Sequence, residues 1–297
     1  MRGGETVVDA TVGLGGHARL LSEPLGPEGL LIGLDVDPSN LSRARDSLSG
    51  LACRAELAHA NFTELSDVLH HLEVECVDVI LVDLGVSSTQ LDDRQRGFSF
   101  QGDGPLDMRM DPRLKVKASD LVNRLSEKDL GDVLYNNAQE FAGRRIARRI
   151  CEVRREGRIT TTGRLASIVA DAMGVNPESR ASKIHPATRT FLALRMAVNQ
   201  EIPNLESLLG FAPRVLRPGG RIGVIAFHSV EDKIVKTDFR KRHNEGLYRI
   251  VTKKPVVAED EERDANPRSR SAKLRVATRV TSHESTGPQG NGADDDE

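Results

Sequence analysis

The sequence predicts an α/β protein: a mostly parallel sheet covered by helices on both faces, interrupted by an inserted helical domain and closed by antiparallel strands. Three observations predict it. Short apolar, β-branched runs alternate with helical patterns at both ends of the chain. The alternation stops near Gly85 and resumes near Gly219. Two late apolar runs then stand ready to close the sheet, and the βαβ order before them implies parallel pairing.

Strands are expected at 6–11 (TVVDAT), 30–37 (LLIGLDVD), 55–62 (AELAHANF) and 77–85 (VDVILVDLG). The second and fourth are apolar almost throughout, as in strands covered on both faces. Between them, HARLLSEPL, SNLSRARDSLSGL and TELSDVLHHL carry apolar residues at spacings of three and four, with Ser or Thr placed to cap. The segment RQRGFSFQGDGPLDMRMDP is too rich in Gly, Pro and charge for a core element. A helix over 127–157 follows, with Ser126 and Asp129 as a capping box and with Gly131 and Gly143 suggesting a break. Helices at 161–173 and 185–209 complete the insertion, the second with Pro186 in its first turn. The sheet returns at 221–227, a helix follows over 229–242, and closing strands are expected within 247–254 and 273–280. The division is therefore 1–102 and 196–281 for the sheet domain, 103–195 for the helical insertion, and 282–297 for a disordered acidic tail.

Composition narrows the class. A chain of 297 residues and 32.5 kDa buries a sizeable core without staples. Cys53, Cys76 and Cys151 lie far apart with no CxxC pair, which points away from a disulfide framework or a cysteine zinc site and towards a reducing cytoplasm. No apolar run approaches the roughly 20 residues that span a bilayer, so no membrane partner is expected. The net charge of −2 averages unlike regions: residues 284–297 hold five acidic residues and no Lys or Arg, leaving the rest mildly basic.

The chemistry begins at VVDATVGLGGH, residues 7–17. A strand entering a glycine turn and then a helix gathers backbone N–H groups where a ligand can approach closely. The spacing is GxGG rather than GxGxxG, with Asp9 four residues ahead of Gly13. Asp35, about 20 residues further on, ends the second strand, where a carboxylate can accept from both hydroxyls of a ribose. A dinucleotide or a zwitterionic nucleoside such as S-adenosylmethionine fits this pattern, and only the second needs no pyrophosphate cradle. The later VLRPGGRIGVIAF resembles the approach to the fifth strand of class I S-adenosylmethionine-dependent methyltransferases.

The resemblance becomes specific with LVDLGVSSTQLDDRQRGFSFQGDGPLDMRMDP. Together with DATVGLGGHAR, HPATRTFLALRMAVNQE, RPGGRIGVIAFHSVEDKIVK and NPRSRSAKLR, it resembles the RsmH (MraW) family over residues 7–279. That resemblance implies S-adenosyl-L-methionine as cofactor and methylation of the exocyclic N4 of one cytidine in the decoding region of 16S ribosomal RNA. The implied partner is the small ribosomal subunit, with a homodimer left open. It places cofactor contacts on Gly15, Gly16, His17, Asp35, Phe62, Asp83 and Gln90. Phe62 is expected to end the third strand and stack beside the adenine. His17, at a helix N-terminus, is expected to be biased towards its neutral form by the dipole.

The cytosine amino group is a poor nucleophile, so the enzyme has to orient it. Asp83 is the nearest acidic candidate for catalysis; the carbonyls of Leu84 and Gly85, or the carboxylate of Asp107, are the alternatives. RNA contact is expected from Asp107, Arg109, Arg144, Arg148 and Arg189, with Arg195 and Lys233 as further candidates. Residues 139–158 contain seven arginines against three glutamates, and Arg144, Arg148 and Arg155 fall at helical spacing. A solvated helix side is the ordinary reading of such a run. Low aromatic content, 3%, argues against a stacking platform as the main grip.

Two departures from the family's pattern stand out. Its members carry a further segment before the first strand with an HxPVLLxE-like block, so a truncated start is an expectation. Where they tend to show Gly-Glu-Glu, this chain has YNNAQEFAGRR. An RNA-binding ribosome-assembly protein with impaired catalysis is the alternative reading, and a nicotinamide-dependent oxidoreductase is a third.

Overall fold

The computed structural model describes residues 1–175 and 185–281; the acidic tail expected over 282–297 lies outside them. Eight strands form one sheet: β1 (Thr6–Asp9), β2 (Leu30–Asp35), β3 (Arg54–His59), β4 (Val77–Asp83), β5 (Leu216–Ala226), β6 (Tyr248–Ile250), β7 (Val256–Val257) and β8 (Lys273–Arg279). Their order is β3-β2-β1-β4-β5-β8-β6, with β7 also on β8. The first five run parallel, and β8 is antiparallel to β5, β6 and β7. This is the class I methyltransferase arrangement, a parallel sheet with a reversed closing strand.

Consecutive strand residues point to opposite faces, which is why the apolar runs are continuous. Val8, Ile32 and Ile80 enter one cluster, and Val7, Leu31 and Val79 the other. The second face is covered by α1 (Gly16–Ser22) and α2 (Pro38–Ser47), through Ala18, Leu41 and Ala44. The first face is covered by α3 (Leu65–His71), α10 (Glu201–Val215) and α11 (Ser229–Asn244), through Leu65, Leu208 and Phe239.

After β4 comes the short α4 (Ser88–Asp92), which the sequence left unassigned. The helices α5 (Ala118–Arg124), α6 (Glu127–Ala138), α7 (Gly143–Val153), α8 (Thr162–Met173) and α9 (Thr188–Val198) then bury a third cluster of their own, which also takes Phe98, Leu106 and Met108. The expected break in 127–157 falls at Gln139–Ala142, where Gln139 has a φ of 51°. The two glycines serve the crossing of α6 and α7: a Cβ on Gly143 would lie 3.2 Å from the Gly131 carbonyl oxygen and from Leu134.

The expected helix over 185–209 is likewise two, α9 and α10, because Gln200 also turns left-handed at φ 51°. Pro186 precedes α9 instead of lying in it. The strand expected from residue 221 starts earlier: Leu216 pairs with Val77 and Arg221 with Val79, so Arg217–Gly220 bulge opposite Asp78 alone. The short β7 and α12 (Asp260–Ala265) were not foreseen. Among the described residues no helix is long and apolar enough to cross a membrane.

Candidate active site

The carboxyl ends of β1, β2 and β4 open into a cleft of about 210 Å³, the usual ligand position in an open α/β sheet. Thr11, Asp35, Phe62, Leu84, Gly85 and Gln90 line it from the sheet side. Met110, Asp111, Leu114 and the Asn199–Glu201 corner close it from the helical side. The left-handed turn at Gln200 is what brings that corner into the cleft.

The glycine turn is tied to the second strand. Gly13 N–H donates to Asp35 Oδ2 at 2.9 Å, while Oδ1 accepts from Asp37 N–H at 2.8 Å and the Asn40 amide lies 3.3 Å away. Burial pushes the Asp35 carboxyl up, against the pull of these bonds. Gly15 caps α1 at φ 87°, a conformation that strains any residue with a side chain. Gly16 faces open space.

Beside this turn two carboxylates meet a histidine. Asp9 is fully buried; its Oδ1 accepts from Thr11 N–H at 3.2 Å, and its Oδ2 has no partner. Burial raises its pKa to about 7. Asp83 is held at the backbone, its N–H donating to Thr11 Oγ1 at 2.7 Å. Its Oδ1 is buried without a partner, and its Oδ2 lies 3.4 Å from His17 Nε2. That contact pushes the His17 pKa up. The expectation of a dipole-neutralised His17 is therefore corrected: a carboxylate in contact outweighs the end of a seven-residue helix.

Other expected residues occupy different roles. Phe62 does not end β3 but opens a short 3-10 turn, Phe62–Glu64, and still lines the cleft. The Gln90 amide is held in place: its oxygen accepts from Ser87 N–H at 3.0 Å and its NH₂ donates to Asp37 at 2.8 Å. Asp37, which the sequence reading missed, also binds Arg96 at 2.6 Å. Burial works against its charge, yet the bonds from Ser39, Gln90 and Arg96 hold it below the usual carboxylate range.

Asp107 and Arg109 are each other's partners, at 2.6 and 2.9 Å, with Lys117 at 3.1 Å from the same carboxylate. Neither is among the residues that line the cleft. Arg144, Arg148 and Arg189 are exposed, Arg148 loosely paired with Glu127 at 3.5 Å. Arg155 falls beyond α7, breaking the expected three-arginine face. Arg195 points inward, and Lys233 is exposed on α11.

Arg195 grips Glu201 at 2.8 and 2.7 Å, and Glu201 lines the cleft. Its neighbours are His228 and Glu231, whose ring nitrogen and carboxylate oxygen lie 3.0 Å apart. All three offer ligating atoms within 4.8 Å of one another, but Arg195 already supplies the positive charge. Burial opposes the charge of Glu231, and His228 with Phe227 N–H overcomes it, holding the carboxyl below its ordinary value. The quoted motifs MAVNQE and FHSVED contain these residues, but only the fold brings them together.

The family profile described as the MraW methylase family matches residues 1–280. A protein of Acidobacterium capsulatum named ribosomal RNA small subunit methyltransferase H is 47% identical over 283 residues, covering 93% of both chains. Its namesake in Koribacter versatilis is 47% identical over 287 residues, 94% of this chain and 89% of that one. Another, from Syntrophobacter fumaroxidans, is 45% identical over 290 residues, 93% and 90% of the two chains. The chain belongs to the MraW methylase family.

Proposed function

We infer that this protein transfers a methyl group from S-adenosyl-L-methionine to the exocyclic N4 of a cytidine in the decoding region of small-subunit ribosomal RNA, in the cytoplasm. Family membership and relatives named for small-subunit ribosomal RNA support the substrate. The observation that carries the cofactor is the Asp9–Asp83–His17 group.

Two buried carboxylate oxygens without donors suit an ammonium, which presents three N–H bonds, and the neighbouring imidazolium suits a carboxylate. An amino-acid zwitterion satisfies both at once; a pyrophosphate could meet the imidazolium but would be repelled by the two carboxylates. Asp35 retains lone-pair capacity for a ribose hydroxyl, and Phe62 offers a face to adenine. When bound, the cofactor supplies an electrophilic methyl on a sulfonium.

The chain's own part is to place the cytosine amine in line with that methyl. Leu84 and Gly85 form the cleft wall next to Asp83, and Glu201 faces the same space with its carboxylate held in place by Arg195. A carbonyl of Leu84 or Gly85 and the Glu201 carboxylate are positioned to accept the two N4 hydrogens and turn the lone pair towards the methyl. In this reading Asp83 binds the cofactor rather than the base. Residues 103–195 act as the substrate-binding unit, with Arg144, Arg148 and Arg189 meeting phosphates.

Titration calorimetry tests the cofactor: S-adenosylmethionine is expected to bind and NAD not to. Absence of S-adenosylmethionine binding leaves the assembly-protein reading in its place. Sedimentation of the purified protein decides the homodimer.

A further inference from the structure

The chain has ten aromatic residues, eight Phe and two Tyr. Eight are buried or half-buried; the other two, Tyr135 and Phe141, are 54% and 77% exposed. These two touch each other edge to face, with ring centroids 6.1 Å apart and planes at 71°. Single exposed apolar side chains are ordinary, but the pairing of the only two exposed aromatics among the described residues makes a patch.

Local structure holds it outward. Leu130, Leu134 and Ala138 are the buried stripe of α6, so Tyr135 falls on its solvent side. The chain then turns at Gln139, and Glu140 is pulled inside, its carboxylate capping Ala142 N–H at 3.0 Å. Phe141 is thereby left projecting between the two helices.

The fringe of the patch is cationic. Arg144 and Arg145 follow Phe141 by three and four residues, are exposed, and make no ion pair among the described residues. Arg189 reaches in from α9 to donate to the Gln139 carbonyl at 3.4 Å. Asp132, one turn before Tyr135, is the acidic residue nearest in sequence with its side chain exposed. A second copy of this surface would bring like charges together, whereas single-stranded nucleic acid matches both features: base faces stack on rings, and phosphates meet guanidinium groups. From Arg189 the helix α9 runs ten residues to Asn199 on the cleft wall, about 15 Å at 1.5 Å per residue. A few nucleotides of extended chain cover that span.

We propose that Tyr135 and Phe141 form a stacking platform for unpaired bases of the RNA flanking the target nucleotide, with Arg144, Arg145 and Arg189 holding the adjoining phosphates. The proposal rests on the reading that the substrate is RNA. Because both rings are exposed, replacing them leaves the fold intact.

The test compares the wild type, the Tyr135→Ala/Phe141→Ala double variant, Phe141→Trp and Phe141→Leu. Two readouts are taken: binding of an unstructured fluorescent RNA oligonucleotide, and methyl transfer to small subunits lacking the mark. The double variant is expected to bind RNA about tenfold more weakly and to show a comparable rise in KM, with kcat and cofactor affinity unchanged. Phe141→Trp should retain binding, and Phe141→Leu should lose it. Unchanged RNA binding in the double variant, full retention by Phe141→Leu, or a wild-type dimer that dissociates in the double variant would overturn the platform. Platform-dependent RNA binding without methyl transfer would uphold it and defeat the functional reading instead.

Discussion

Asp9 and Asp83 end neighbouring parallel strands, and each leaves one buried carboxylate oxygen without a hydrogen-bond donor. Buried polar atoms are nearly always satisfied, and in the proposed reading these two oxygens, on carboxylates that end adjacent strands, receive the ammonium of the cofactor. The cost is borne by the ligand-free protein and recovered on binding.

Asp83→Asn removes the charge while keeping the shape. Bonds to charged groups are worth about 1.5–3 kcal/mol, so S-adenosylmethionine affinity is expected to fall roughly ten- to hundredfold. Calorimetry reads this directly. Thermal stability of the ligand-free variant is expected to change little: Asn keeps a polar atom at the unpaired Oδ1 position, sheds a partly buried charge and loses the ion contact with His17 at 3.4 Å.

Asp9 makes stability depend on pH. Its folded pKa of about 7 lies above the ordinary aspartate value of 3.8, so between these values the folded state binds more protons than the unfolded one. Stability on this account is fully present at low pH and falls as pH rises from about 4 to 7; at 1.36 kcal/mol per unit the loss is on the order of 4 kcal/mol. His17, also raised, loses its share in the same direction as pH rises through its folded value. Urea unfolding should therefore find Asp9→Asn close to wild type at pH 4.5 and more stable than wild type at pH 8.

Arg195 and Glu201 are mutually dependent. Truncating one partner of a buried pair strands the other charge, at about 3–5 kcal/mol. Glu201→Ala is expected to lower the melting temperature sharply, and Arg195→Met/Glu201→Leu to recover most of it. The double variant should still bind S-adenosylmethionine but transfer no methyl group.

Gly143 carries the helix crossing. With a Cβ already 3.2 Å from the Gly131 carbonyl oxygen, a branched side chain forces α6 and α7 apart. Gly143→Val is expected to cost about 2 kcal/mol in denaturant unfolding while cofactor affinity stays constant, since the crossing lies outside the cleft lining.

What was legible in the sequence was local. The glycine turn, Asp35 and the order of strands follow from runs of a few residues whose chemistry is self-explanatory. The α4 helix was missed because its Gly- and charge-rich surroundings read as loop, although Ser87 and Gln90 form a reciprocal capping box three residues apart, a readable signal.

The rest depended on distant partners. His17 looked like a helix-end histidine until Asp83 arrived from another strand. Gln90 lines the cleft, but its bond to Asp37 could not be read from the sequence, nor could the pairing of Asp107 with Arg109 and Lys117. Glu201 closed a motif but carried no role in the sequence: its place in the cleft follows from a left-handed turn at Gln200, where nothing in a helix-forming run announces a corner.

The central claim is tested most directly by incubating the protein with methyl-labelled S-adenosylmethionine and small ribosomal subunits that lack the modification, then digesting the RNA to nucleosides for mass spectrometry. The account predicts label in N4-methylcytidine at a single position, absent with Asp83→Ala. Label in a different nucleoside, or preferential methylation of naked DNA, would contradict it.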